Sequence, residues 1–364
     1  MVVGYSLGNR NDVEDDIQVI GEDGPNIITY SKSLPLILSR MCRNDCPYCG
    51  FHKKDNIIVP YSTIRAAKQA RSKGAREIFF VSGERPDKFP HIRAILDLWG
   101  FSSYLEYVYT VCELGFLEGL IPVIELGFLS PIEMKRMAEV SALVKIMMDS
   151  VDEKTSQNLY KNSPGKRLEL RLKSLEWAGK LNYPVITGNI VGIGQSKENQ
   201  KSVLNKIAAL HREYGHIHEY LVQNFVPEPK TPFEKKKPAD KADVLKAIDL
   251  AREILPDDIP ITVNMELYPD FEDFIKAGVR DLGRITEGEK GLITGQTPLD
   301  ELDVAERLDK LGFKLQQRFP LRKAFISEGK YSKKLGQVFE SYRYKIKKEA
   351  QEKLKESKAI GYDA

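Results

Sequence analysis

Three of the chain's four cysteines, Cys42, Cys46 and Cys49, lie within one short stretch. Three residues separate the first pair and two separate the second. Three thiolates at this spacing can hold one corner of a cubane iron–sulfur cluster and leave its fourth iron without a protein ligand. Because an open iron can bind a small molecule and pass it an electron, the triplet predicts redox chemistry.

Two other interpretations of the triplet are possible. A structural zinc site needs four protein ligands, and here the fourth would have to be His52 or the distant Cys112. A disulfide with a spare thiol does not suit a reducing compartment. The open-iron cluster is the best fit, and Cys112, in an apolar helical stretch, is expected to be a small core residue.

Composition limits the class of protein. The chain has 364 residues, a hydrophobic fraction of 42% and a net charge of +3. No apolar run approaches the roughly 18 residues of a membrane span, and the polar, acidic residues 1–16 lack a signal-peptide stretch. We therefore expect a cytoplasmic protein, with no membrane and no nucleic acid among its partners.

Charge divides the chain into three expected regions. Residues 1–26 form an acidic extension, residues 27–328 form the main domain, and residues 329–364 form a lysine-rich helical tail. The tail is interpreted as a solvated extension, and the alternative is a docking surface for an acidic electron carrier.

Apolar, β-rich runs alternate with segments of helical period through the main domain. The predicted strands are residues 34–41, 77–81, 122–126, 143–148, 185–191, 217–225, 261–265 and 281–285. The predicted helices are residues 62–73, 89–120, 131–140, 164–181, 197–214, 239–255 and 271–277. This alternation predicts an α/β fold, a (β/α)₈ TIM-like barrel that could be incompletely closed.

Residues with chemical potential follow several of these strands. Cys42, Glu84, Asp149, Gly188 and Asn224 each come at or after the end of an apolar run. Reactive groups of such barrels lie at the C-terminal ends of the strands. We therefore expect these five residues to meet at one end of the barrel.

The cysteine loop, with Tyr48 directly before the last cysteine, resembles that of the radical S-adenosylmethionine (SAM) superfamily. The resemblance implies a [4Fe-4S] cluster on Cys42, Cys46 and Cys49, and SAM bound at its open iron. It also implies reductive cleavage of SAM to a 5′-deoxyadenosyl radical. Tyr48 is expected to pack beside the SAM.

Three further matches to the superfamily involve the methionine part of SAM. Ser82-Gly83-Glu84 resembles the motif that holds the amino group, and its plainer interpretation is a strand-end turn. Asp149 matches an acidic SAM contact, or else caps the next helix. Arg171 resembles the arginine that pairs with the SAM carboxylate, or else pairs with Glu169 at the surface.

A fourth match is the glycine-rich stretch 187–195, which resembles the segment lying along the adenine. It implies SAM contacts from Gly188, Gly192 and Ile193. Gln195 stands where glutamate is usual. One such segment is often only a turn, but four matches in the right order support the family.

Residues 27–326 also resemble subunit 1 of FO synthase, which makes a deazaflavin. The similar stretches are 43–51, 83–86, 163–167, 191–194, 214–217, 223–229, 281–283 and 317–320. The resemblance implies a small-molecule substrate, the adduct of tyrosine and a ribityl-aminouracil made by a subunit-2-like partner. Ring closure with loss of ammonia would give 7,8-didemethyl-8-hydroxy-5-deazariboflavin, and a ferredoxin or flavodoxin would donate electrons.

The chain departs from that pattern at three strand ends. Glu125-Leu126-Gly127, Asn264-Met265-Glu266 and the stretch 283–287 replace the usual residues. Glu125 and Glu266 could place carboxylates near the pocket or be solvated loop residues. A second hypothesis is therefore the same radical chemistry on another substrate, and a third is a non-catalytic metal or cluster protein. No general base is assigned.

Overall fold

The computed structural model describes residues 24–51, 55–150, 152–194, 196–268, 270–286 and 297–340, and also 343–344, 347–348 and 351. The strands are β1 Ile27–Ser39, β2 Glu77–Ser82, β3 Ile121–Glu125, β4 Leu143–Lys145, β5 Val185–Val191, β6 Ile217–Asn224, β7 Ile261–Val263, β8 Asp281–Thr286 and β9 Lys314–Gln317. They form one parallel sheet in the order β7-β6-β5-β4-β3-β2-β1-β8, with β9 paired to β1.

The helices alternate with the strands. They are α1 Pro60–Ser72, α2 Pro90–Leu98, α3 Tyr104–Leu117, α4 Pro131–Met137, α5 Glu153–Leu159, α6 Leu168–Lys180, α7 Lys197–Tyr214, α8 Lys241–Ile254, α9 Glu272–Lys276, α10 Glu301–Asp309 and α11 Lys323–Ser327. Prolines in the first turn of α1, α2 and α4 fit a position where the backbone N–H has no helical partner. A capping box of Ser130 and Glu133 begins α4.

The fold is a nearly closed parallel barrel, which confirms the predicted class. Every residue of β2 is buried, because a parallel strand is covered on both faces. Within the described part of the chain, β7 and β8 are not hydrogen-bonded to each other, so one seam of the barrel stays unsealed. No helix among those residues is long and apolar enough to cross a membrane.

A buried ionic network spans the open side of the barrel. Arg284 on β8 donates to Glu77 and, at 3.0 Å, to Glu219 on β6. Arg318, fully buried, donates at 3.1 Å to Glu219 and at 2.7 Å to Asp281. Burial alone would raise the pKa of Glu219, but Arg284, His218 and Arg318 outweigh it and lower that pKa. The network connects β6 and β8 through side chains where backbone pairing is interrupted.

Several predicted boundaries were wrong for local reasons. The predicted helix 89–120 is two helices, because the chain turns at Gly100, whose φ is +80°, and Ser103 caps α3. The predicted helix 164–181 begins at Leu168, after a 3₁₀ turn at Pro164–Lys166. The first strand begins at Ile27, seven residues early, because its first half pairs with β9 and β8. Helices α5, α10 and α11 and strand β9 were missed.

The three-region division of the chain stays a prediction. Residues 1–23 and most of 341–364 lie outside the described residues. Leu335 and Phe339 of the tail are buried in an apolar cluster with Phe319, Leu321 and Phe325. The described beginning of the tail therefore packs on the main domain.

Candidate functional site

A cavity of about 220 Å³ opens at the C-terminal ends of the strands. Most of the predicted site residues line it: Cys42, Cys46, Cys49, Tyr48, Ser82, Gly83, Glu84, Asp149 and Arg171. These residues come from widely separated parts of the sequence. Parallel strands of similar register bring their C-terminal ends to one face of the barrel.

The cysteine loop follows β1 and crosses the end of β2. The Cys42 Sγ accepts hydrogen bonds from the backbone N–H of Glu84 at 3.2 Å and of Asn44 at 3.4 Å. A Cβ on Gly83 would lie 2.1 Å from the carbonyl oxygen of Met41. Glycine at this position therefore lets the loop lie directly against the strand end.

The three thiols suit an iron–sulfur cluster better than another metal group. All three line the cavity, and the fourth cysteine, Cys112, is fully buried in the core on α3. Among the described residues no cluster of three or more histidine, cysteine or acidic side chains is already arranged around a metal position. His52 lies outside the described residues, and among those described the three soft donors have no fourth protein ligand beside them. This donor set matches a cubane cluster with one open iron.

Burial controls the protonation of two of these thiols. It raises the pKa of Cys46 to about 11, against a lowering effect of Lys166, and raises that of Cys49 to about 12. Thiols in this environment are protonated at neutral pH, and they must lose their protons when they ligate a metal.

Glu84 is a buried carboxylate held by three segments. It accepts from Arg43 Nε at 2.6 Å and from the backbone N–H of Phe128 at 2.8 Å. Burial would raise its pKa, but Arg171, the Phe128 N–H and Arg43 together lower it, so the carboxylate is ionised. An ionised carboxylate at the cavity wall can bind an ammonium group.

Two glycines leave space for this carboxylate. A Cβ on Gly165 would lie 2.1 Å from both oxygens of Glu84, and one on Gly127 would lie 2.6 Å from the nearer oxygen. The backbone N–H of Gly165 donates to Asn44 Oδ1 at 3.2 Å, which ties its turn to the cysteine loop. Sequence reasoning did not assign a role to either glycine, although Gly165 lies in one of the family-like stretches.

Asp149 does not cap the following helix, because Asp152 is the N-cap of α5. Asp149 has φ +54° and forms an isolated bridge with Asn189, so its backbone is held in an unusual conformation. Its carboxylate pairs with Lys166 at the cavity wall. Burial lowers the pKa of Lys166, but Asp149 outweighs it and the pKa is raised. Lys166 was not among the predicted site residues.

Arg171 is not at the surface, where a pair with Glu169 would have placed it. Its side chain lies at the start of α6, is 2% exposed and lines the cavity. Among the described residues its Nε has no hydrogen-bond partner, and the same holds for Asn44 Nδ2 and Asn224 Oδ1 in the same wall. Buried polar groups are normally paired, so these atoms indicate a polar ligand. A forked guanidinium suits the carboxylate of SAM.

The hydroxyl groups of Tyr48 and Ser82 are each held by contacts with neighbouring residues. The Tyr48 hydroxyl lies 2.9 Å from that of Tyr160, and the two rings meet edge to face. The Ser82 Oγ donates to the Gly83 carbonyl at 2.9 Å and lies 2.6 Å from the Tyr104 hydroxyl. These contacts hold both residues rigidly against the cavity.

The three predicted adenine contacts, Gly188, Gly192 and Ile193, lie outside the lining of this cavity, although Ile190 of the same stretch lines it. A Cβ on Gly188 would lie 2.0 Å from the Leu221 carbonyl oxygen, so this glycine allows close pairing of β5 with β6. Gly192 has φ +97°, and Ile193 is buried in a cluster with Tyr48. Their SAM contacts stay predictions, and Gln195 lies outside the described residues.

Lys145 lies where this cavity adjoins a second, inner cavity, since it lines both. Its Nζ is 3.1 Å from Glu125 Oε2. Glu125 lines the first cavity, and Glu266, which is 3% exposed, lines the second. Neither is a solvated loop residue, so these two glutamates, which depart from the family pattern, face the barrel interior.

Residues 36–207 match the family model described as Radical SAM superfamily. The 7,8-didemethyl-8-hydroxy-5-deazariboflavin synthase of Archaeoglobus fulgidus is 35% identical over 87% of this chain and 97% of its own length. The enzyme of the same name from Methanopyrus kandleri is 31% identical over 86% and 97%.

Solved structures agree on the fold. The FeFe-hydrogenase maturase HydG of Carboxydothermus hydrogenoformans superposes with a TM-score of 0.63 at 18% identity, over 87% of this chain and 72% of its own. Methylornithine synthase has a TM-score of 0.61 at 17% identity, over 89% and 97%. With the curated relatives covered almost end to end, the chain belongs to the radical SAM superfamily and, within it, to the 7,8-didemethyl-8-hydroxy-5-deazariboflavin synthase family.

Proposed function

We propose that the cavity holds a [4Fe-4S] cluster on Cys42, Cys46 and Cys49, with SAM at the open iron. When bound, the cluster and SAM supply a 5′-deoxyadenosyl radical that abstracts a hydrogen atom from the substrate. The supporting observation is a cavity wall that joins these three thiols to Arg171, a buried cation whose Nε lacks a partner among the described residues.

The protein's own groups would orient the SAM. Arg171 would pair with its carboxylate and Glu84, which is ionised, with its ammonium group. Asp149 and Lys166 would provide further polar contacts from the same wall, and Tyr48 would cover the ligand. Fixed charges in a buried site cost little reorganisation during the reaction, which is why preorganisation matters here.

The proposed reaction is the ring closure that gives 7,8-didemethyl-8-hydroxy-5-deazariboflavin. The substrate would be the adduct of tyrosine and a ribityl-aminouracil, and ammonia would leave on closure. The observation that carries this assignment is the similarity to synthases of that name over 97% of the Archaeoglobus fulgidus relative. A subunit-2-like partner would supply the adduct, a ferredoxin or flavodoxin would supply the electron, and the reaction would take place in the cytoplasm.

Three charged residues favour a second candidate, which is the same radical chemistry on another substrate. These residues replace those usual in the family: Glu125 lines the first cavity, and Glu266 and Arg284 line the inner cavity. Charged groups at these positions would change what the barrel interior accepts without changing how SAM is bound.

The experiment compares Cys46→Ala with Cys112→Ala after anaerobic reconstitution of the full chain. The native protein and Cys112→Ala are expected to contain about four irons and to form 5′-deoxyadenosine from SAM with dithionite. Cys46→Ala is expected to lose the cluster and all turnover. A colourless native protein that forms no deoxyadenosine would support a non-catalytic metal protein instead. Deoxyadenosine without fluorescent deazaflavin from the tyrosine–uracil adduct would select the second candidate.

A further inference from the structure

The inner cavity lies inside the barrel, beside the unsealed seam. It has a volume of about 80 Å³ and adjoins the first cavity, the proposed site of the cluster and SAM, at Lys145 and Gln223, which line both. Its other polar lining comes from Ser33 on β1 and from β6, β7, β8 and the turn after β7: Glu219, Thr262, Asn264, Glu266, Arg284 and Thr286. A substrate that reacts beside the SAM could therefore extend a second part of itself into this space.

Two buried polar atoms in this lining lack partners. Thr262 is fully buried, and its Oγ1 has no hydrogen-bond partner among the described residues. In the same part of the chain, Arg284 Nη2 is also without a partner, although its other nitrogens bind Glu77 and Glu219. One unpaired hydroxyl and one unpaired N–H in the same cavity indicate a ligand with both donors and acceptors.

The charged side chains of the cavity already have partners within the protein. Arg284 pairs with Glu77 and Glu219, and Lys145 pairs with Glu125. The Glu266 carboxylate accepts from the backbone N–H of Thr286 at 2.7 Å and from its Oγ1 at 2.9 Å. Both cations of the lining, Lys145 and Arg284, are already paired with carboxylates, so the lining favours an uncharged polar ligand over a phosphate or a carboxylate.

Apolar groups complete the lining. Pro35, Phe79, Leu221 and Val263 contribute to it, and the Arg284 guanidinium lies 5.1 Å from the centre of the Phe79 ring. A chain of hydroxylated carbons presents C–H groups as well as hydroxyls, so it can meet both parts of this surface. At roughly 30 Å³ per water-sized group, the volume accepts two or three such carbons.

We propose that the inner cavity is the subsite for the outer carbons of the hydroxylated side chain of the substrate, with Thr262 as a specificity-determining residue. The inference rests on the proposed function, because it assigns the outer part of the ribityl chain of that substrate to this cavity. The reacting ring would then lie towards Lys145 and the SAM, and the hydroxylated chain would extend towards β7 and β8.

The test measures binding to the reconstituted full chain by anaerobic calorimetry, without turnover. Two probes are compared: 5-amino-6-ribitylaminouracil and its 6-methylamino analogue, which lacks the hydroxylated chain. The native protein is expected to prefer the ribityl probe. Thr262→Val should weaken the ribityl probe about 3- to 10-fold, the effect of one lost hydrogen bond, and leave the methylamino probe unchanged. Thr262→Ser, which keeps the hydroxyl, should retain the preference.

Thr63→Val is the matched control. Thr63 on α1 is also fully buried, with an Oγ1 that has no partner among the described residues, but it does not line either cavity. This variant should change binding of neither probe. The proposal is overturned if the native protein shows no preference or binds neither probe, or if Thr262→Val affects both probes alike.

Measuring turnover of the adduct distinguishes a failure of this inference from a failure of the proposed function. A ribityl preference that depends on Thr262, with no deazaflavin formed from the adduct, would refute the cyclisation and leave the subsite intact. Deazaflavin formed without any ribityl preference would refute the subsite alone.

Discussion

Gly165→Ala places one methyl group against the carboxylate of Glu84. The added Cβ would lie 2.1 Å from both carboxylate oxygens and 2.4 Å from Cδ. Such contacts must open by about 1 Å to reach ordinary van der Waals separation. Glu84 is 2% exposed and is held by Arg43 and the Phe128 N–H, so it cannot move without losing a partner.

The size of the effect follows from those contacts. A buried Phe128 N–H left without its acceptor costs about 1–3 kcal/mol of folding free energy. A catalytic group displaced by about 1 Å can cost on the order of 10²-fold in rate. We therefore expect Gly165→Ala to fold with a lower melting temperature and to form deoxyadenosine about 100-fold more slowly.

The assay is deoxyadenosine formation from SAM with dithionite, together with calorimetric binding of SAM. Gly336→Ala is the matched control, because nothing lies within 4 Å of an added Cβ there. Glu84→Ala and the double variant complete a mutant cycle. If the methyl group acts through Glu84, Gly165→Ala should add little to the loss already caused by Glu84→Ala.

Two results would refute this reasoning. One is a Gly165→Ala protein that binds and cleaves SAM like Gly336→Ala. The other is a double variant whose loss equals the sum of the two single losses, since the glycine would then act independently of the carboxylate.

Two further predictions concern buried arginines. Arg171→Met should weaken SAM binding about 10- to 100-fold, the effect of losing charge-assisted hydrogen bonds. Lys173→Met, on the exposed face of α6, should leave SAM binding unchanged. Equal SAM dissociation constants for the two variants would exclude the contact between Arg171 and the SAM carboxylate. Arg318→Met should reduce the free energy of unfolding in guanidinium chloride by about 3–5 kcal/mol, because Glu219 loses a buried partner. Lys246→Met, at an exposed ion pair, should change it by less than about 1 kcal/mol, and an equally small loss in Arg318→Met would mean that the network does not stabilise the barrel.

Local features of the sequence were enough to predict the barrel and the thiol loop. Strand and helix periods depend on neighbouring residues, and the Cys42–Cys49 spacing is contained in one loop. The same local reasoning was wrong at residues 89–120, where Gly100 and Ser103 divide the predicted helix. It also missed α5, which is short and whose segment carries little apolar periodicity.

Contacts between loops could not be read from the sequence in this way. Glu84 touches the segments around Arg43, Phe128 and Gly165, and the pairing of Asp149 with Lys166 replaces the helix cap that local reasoning allowed. Such contacts depend on which strand ends are adjacent and in what register, as in the pairing of Ser39 with Ser82.

The sequence by itself determined the alternation of strands and helices and the three thiols at the end of the first strand. Both follow from covalent order and from the periodic burial of apolar side chains. Only the tertiary structure decided that Arg171 faces the cavity and that a separate inner cavity lies beside Thr262 and Lys145. The physical reason is that side chains distant in sequence become neighbours only when the strands pair, and burial then determines which polar groups are left for a ligand.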